Sequence, residues 1–111
     1  MAFPSNVASF VAQTTTVKVV KPTSGRVAGW YIYNPNSSVA YVQFFDVASG
    51  GTLTLGTTAP LLTIGVPATA AANLLDGNGL NFKNGIQLAA TTTATGSTAP
   101  SSGLDVNVFY Q

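Results

Sequence analysis

The chain has 111 residues, enough for one domain with a single modest core. Only 6% of its residues are charged, the net charge is +1 and the mean hydropathy is +0.34. Even so, Thr, Asn, Gln or Gly breaks each apolar run well before the roughly 20 residues that a spanning helix needs, so no membrane partner is expected. The four basic residues, Lys18, Lys21, Arg26 and Lys83, neutralise too few phosphates for nucleic acid to be expected as a partner.

No segment repeats apolar residues at the helical spacing i, i+3, i+4, i+7; alternation with a period of two recurs instead. Residues 1–13 carry Phe3, Val7, Phe10 and Val11 without clean periodicity. They read as an N-terminal arm, either frayed or ordered on a neighbouring subunit with those four side chains as anchors, ahead of a β domain over 14–111. The opening residues lack both a basic residue and a long apolar stretch, so no secretory signal is expected. Residues 14–20 read as a weak strand.

Residues 27–33 and 39–45 are rich in aromatic and β-branched side chains and read as a hairpin. The turn between them is Asn34-Pro35-Asn36-Ser37-Ser38, where Pro presets φ and Asn bonds locally. In that hairpin Trp30, Ile32, Val42 and Phe44 face inward, and Tyr31, Tyr33 and Tyr41 face outward or toward a second subunit. Weaker strands are expected at 53–55, 61–66, 73–75, 80–82 and 86–90. Asn78-Gly79 and Asn84-Gly85 read as two-residue hairpin turns, and 69–72 allow one helical turn. Residues 89–103 are of low complexity with no large apolar side chain, an exposed loop or an extra strand. The last segment, 104–110, is the clearest strand: Leu104, Val106, Val108 and Tyr110 fall on one face, Asp105 and Asn107 on the other. About eight short strands indicate an all-β antiparallel sandwich or jelly roll, two architectures that this pattern does not separate.

The chemistry-bearing residues are sparse. His, Glu and Cys are absent, which removes Ser-His-Asp and Cys-His arrangements, disulfides and the common metal ligands. The carboxylates are Asp46, Asp76 and Asp105, in or beside three different predicted strands, with no spacing that suggests a catalytic pair. Asp76-Gly77-Asn78-Gly79 resembles the start of a calcium loop but lacks the closing Glu, so a tight turn is the simpler reading. Neither an enzyme nor a cofactor is expected. Trp30, Tyr31 and Tyr33 fit core and cross-strand packing best, with a subunit interface or a glycan platform as the functional alternatives.

Several blocks resemble a family of small virion proteins of tailed bacteriophages and cyanophages. They are Gly29-Trp30-Tyr31-Ile32-Tyr33-Asn34-Pro35-Asn36, Ala40-Tyr41-Val42-Gln43-Phe44-Phe45-Asp46, Thr52-Leu53-Thr54-Leu55-Gly56-Thr57-Thr58 and Ile64-Gly65-Val66-Pro67-Ala68-Thr69. The stretch from Ala89 to Thr98 and Val106-Asn107-Val108-Phe109-Tyr110 continue the resemblance. It implies a capsid decoration (cement) protein, a β-sandwich on the capsid exterior, often a homotrimer, that clamps neighbouring major capsid subunits. Candidate contacts to the capsid or between subunits are then Phe3, Val7, Phe10, Val11, Tyr31, Tyr33 and Tyr41. The alternatives are a tail, neck or fibre component and a carbohydrate-binding adhesion module.

Overall fold

The computed structural model describes residues 6–111, with residues 76 and 77 described by their backbone alone. Eight strands form among these residues: β1 (Asn6–Gln13), β2 (Lys18–Lys21), β3 (Gly25–Asn34), β4 (Ala40–Phe45), β5 (Leu62–Val66), β6 (Ala70–Phe82), β7 (Ile86–Thr91) and β8 (Leu104–Tyr110). They build two four-stranded antiparallel sheets. Sheet A has the order β1-β8-β3-β6 and sheet B the order β2-β7-β4-β5.

The pairing follows one rule. β1 pairs with β8, β2 with β7, β3 with β6 and β4 with β5, as in one long hairpin folded back on itself at the β4–β5 turn. Rolling that hairpin brings β3 against β8 and β4 against β7. This is the jelly roll, which settles the choice between the two sandwich architectures.

Alternation places the core between the sheets. Ile32, Val106, Val108 and Leu104 of sheet A meet Val42, Phe44, Leu88, Ala90 and Val66 of sheet B, each nearly or completely buried. Phe44 lies at its centre, its ring 6.4 Å from that of Trp30 and 6.5 Å from that of Phe82. The expected inward set Trp30, Ile32, Val42 and Phe44 therefore meets in space, although not by the expected route.

β3 and β4 are not a hairpin. They lie in different sheets, and residues 35–39 arch between the two layers. The arch is held by Asn34, fully buried, whose Nδ2 donates to the carbonyls of Ser38, Val66 and Pro67 at 2.9, 3.0 and 3.2 Å. Its Oδ1 accepts from the Asn36 backbone N–H at 2.9 Å. Turn chemistry in the sequence marks a reversal, not which sheet the chain reverses into.

The same distinction corrects other expectations. Asn84-Gly85 joins β6 to β7 across the sandwich rather than within a sheet. Asn78-Gly79 lies inside β6, in a bulge where residues 76–79 stand opposite Ala28 alone. Gly79 has φ +74°, and a Cβ there would meet the Val27 carbonyl at 2.9 Å, so the bulge requires glycine. The expected strands 73–75 and 80–82 are thus one element. Residues 53–55 form no strand, and 69–72 form no helical turn, because Ala70–Ala72 already pair with β3.

Residues 6–13 are not an arm standing apart from the fold. They form the edge strand of sheet A, paired with β8, and Ala8 and Phe10 pack against the core. A bulge at Val11 and Ala12, both opposite Asp105, interrupts their periodicity. Ala12 has φ +55°, and its N–H donates to Asp105 Oδ1 at 3.2 Å.

Candidate interaction surface

The two sheets differ in what covers their outer faces. On sheet B, Gln43, Phe45, Ala89 and Thr91 point away from the core yet are fully buried, and Gln87 nearly so. Residues 46–61 and 92–103 supply the cover. Gln87 Nε2 donates to the carbonyls of Val47 and Ala48, both at 3.0 Å. Gln43 Nε2 donates to Thr91 Oγ1 at 2.7 Å and to the Gly96 carbonyl at 3.1 Å, and Thr63 Oγ1 donates to the Ala94 carbonyl at 3.2 Å. The low-complexity segment that read as an exposed loop in fact roofs this face.

Among the described residues, none roofs the outer face of sheet A in this way. Cross-strand registers arrange it in three rows. The first is Val7, Phe109, Gly29 and Leu75; the second is Ser9, Asn107, Tyr31 and Asn73; the third is Asp105, Tyr33 and Ala71, with the Val11–Ala12 bulge at its end. Val11 is 84% exposed, Leu75 81%, Val7 58%, Tyr31 45% and Tyr33 38%. Asp105 is the single charged residue in these rows. Ser9 Oγ donates to Asn107 Oδ1 at 2.6 Å, which ties β1 to β8 on this face.

Gly29 shapes the middle of the first row. A Cβ there would overlap the Leu74 carbonyl and meet the Phe109 ring at 3.0 Å, so the close approach of these groups requires glycine. Beside it, Trp30, Tyr31, Asn73, Leu74, Leu75 and Phe109 line an open, mostly apolar depression of about 690 Å³. Face and depression together offer apolar contact, tyrosine hydroxyls and carboxamides, with almost no charge to desolvate on burial.

Of the sequence-predicted contacts, the structure brings Val7, Val11, Tyr31 and Tyr33 onto this one face. Phe10 is turned into the core, a correction to its expected role as a contact. Tyr41 is half-buried on sheet B, its ring over Gly65, and does not join the others. Phe3 lies outside the described residues, as does the side chain of Asp76. Sequence reasoning missed Phe109, Leu75, Asn73 and Asn107. Phe109 carried a signal, as the large apolar residue that falls in phase with Asp105 and Asn107 on the polar side of β8.

Among the described residues no three His, Cys, Asp or Glu side chains lie close enough to hold a metal ion, and no helix is long and apolar enough to cross a membrane. The sequence matches no protein-family model and no curated protein. Among solved structures, one titled "Crystal structure of PirA" is similar over 95% of this chain and 92% of that chain, at 13% identity and a TM-score of 0.44. A likeness that distant bears on neither the fold assignment nor the function.

Proposed function

We propose that this chain is a capsid decoration protein, attached to the exterior of a virus particle through the outer face of sheet A and clamping neighbouring major capsid subunits. The observation that carries the reading is the asymmetry of the two faces: among the described residues, loops roof one and leave bare the other, apolar, tyrosine-rich and nearly uncharged. Exposed patches of this kind mark sites of protein contact. The segments that resemble small phage virion proteins support the same reading. Attachment of many copies to a lattice needs no catalytic group; each added contact becomes effectively intramolecular, and binding only the mature lattice stabilises it by linkage.

The test is binding to capsids stripped of the protein, together with its copy number in purified particles measured by mass spectrometry against the major capsid protein. Saturable binding, near one copy per capsid subunit, is expected, and Tyr31→Lys with Tyr33→Lys should abolish it without altering the circular dichroism. A few copies per particle would move the chain to the tail or neck, and absence from particles would overturn the reading.

A second reading, a carbohydrate-binding module, is favoured by the depression, where Trp30, Tyr31 and Asn73 put aromatic rings beside a carboxamide. Because Trp30 also packs on Phe44, Tyr31→Ala is the cleaner probe. Under this reading it removes binding on a glycan array and spares the fold.

A further inference from the structure

A two-sheet sandwich has four edges, each offering backbone N–H and C=O groups to another strand unless something guards it. Sheet B is guarded on both sides. β2 is four residues long with a lysine at each end, and β5 is five residues long between Pro60 and Pro67. On sheet A the bulge at Val11 and Ala12 cuts β1 to a regular run of five residues, Asn6 to Phe10. The other edge is β6. Its first six residues, Ala-Ala-Ala-Asn-Leu-Leu, pair with β3 in unbroken register from Ala70 to Leu75, with no charge and no proline. Leu74 and Leu75 at the end of that run are 46% and 81% exposed.

We propose that residues 71–75 of β6 pair antiparallel with the same residues of a second copy, about a two-fold axis perpendicular to sheet A, to give one continuous eight-stranded sheet. Charge selects the occupant. An uncharged strand paired with itself brings no like charges together, and a net charge of +1 adds little repulsion between copies. Side-chain size selects the register. Opposed residues must share a face, so the axis passes through one residue and pairs its neighbours symmetrically. Centred on Asn73, it sets each Leu75 against Ala71 and each Leu74 against Ala72 of the second copy, large against small at four rungs. The two Asn73 carboxamides then face each other as donor and acceptor. Centred on Leu74, it would set leucine on leucine; centred on Ala72, it would leave Leu75 beyond the paired run.

Size sets the strength. Five residues at about 3.3 Å each give an edge of about 17 Å, and the molecule is 18 Å across its shortest extent. The contact therefore projects to at most roughly 300 Å² per copy, against about 800 Å² of accessible surface per partner in a standard interface. It belongs to the small, reversible class, a dimer that dissociates on dilution. The pairing uses the edge of sheet A rather than its face, so it stands or falls separately from the capsid reading.

The chain has no cysteine, so Asn73→Cys places a lone thiol on the axis. Opposed Cα atoms in an antiparallel pair lie about 4.5–5.5 Å apart, within the span of a disulfide. Under mild oxidation of the full chain at high micromolar concentration, Asn73→Cys should form a covalent dimer at least about tenfold faster than Val11→Cys, an exposed thiol on the opposite edge of the sheet. Sedimentation of the wild-type chain should show a monomer–dimer equilibrium, shifted about tenfold toward monomer by Leu75→Lys with unchanged circular dichroism. The proposal is overturned if the two cysteine variants cross-link at the same rate, if the wild type is monomeric throughout, or if its assembly contains three copies. Should Leu75→Lys fail to fold, the cross-linking comparison decides alone.

Discussion

The carboxylate of Asp46 stands where β4 leaves sheet B and caps the turn between β6 and β7. Its Oδ1 accepts from the backbone N–H groups of Asn84 at 2.7 Å and Gly85 at 3.4 Å. Slight burial pushes its pKa up, but the backbone N–H groups of Asn84, Lys83 and Gly85 and the nearby Lys83 ammonium outweigh that and hold it below its ordinary value. A carboxyl with a lower pKa folded than unfolded adds stability above the unfolded value, near 3.9, and loses it as pH falls through the folded value. Thermal melts should therefore be level from neutral pH down to about 5 and fall below about 4. Asp46→Asn should flatten part of that fall. Because the group is solvent-exposed for the most part, its loss at neutral pH should be on the order of 1 kcal/mol or less. A melt at pH 3 that Asp46→Asn leaves as far depressed as wild type would rule out Asp46 as the cause. None of this was legible in the sequence, where Asp46 was one of three isolated acids; the N–H groups that hold it come from residues nearly forty positions away.

At the scale of the element, alternation was legible and pairing was not. In β8 the inward set Leu104, Val106 and Val108 comes directly from the pattern, and all three are buried. The strand at 6–13 was hidden because a bulge adds a residue between Phe10 and Gln13, shifting the phase of the residues beyond it. An arm and an edge strand differ in what their removal does. A chain starting at residue 14 would expose the free edge of β8 and strip Ala8 and Phe10 from the core. The expectation is a loss of several kcal/mol, as for truncating a large core side chain, seen as a denaturation midpoint well below that of the intact chain. A truncated chain with the full midpoint would restore the arm reading.

For the whole molecule, the pairing rule places the first strand beside the last, so the outermost rung of the rolled hairpin closes nearly the entire chain. Contacts that distant in sequence require loop closure before they are rewarded, which slows folding. Refolding after a jump out of denaturant should take milliseconds to seconds, as for other all-β sandwiches, rather than microseconds. Stopped-flow Trp30 fluorescence is suited to measure it, because that ring packs on Phe44 in the opposite sheet. Microsecond refolding would mean that local contacts dominate, against the observed pairing.

The sequence by itself determined the fold class and the facing of most strands, because period-two alternation is a local property of an extended backbone and needs no partner. It also determined which chemistry was missing, since absent residue types are absent wherever the chain runs. Tertiary structure alone decided that the segments at 27–33 and 39–45 face each other across a core instead of pairing, because both arrangements satisfy the same turn and the same alternation. It also decided that loops 46–61 and 92–103 come to rest on sheet B rather than on sheet A. Apart from Asp105, the residues in the outward rows described for both sheets are neutral and partly apolar, so no pattern distinguishes them; burial depends on where a distant, low-complexity segment comes to rest.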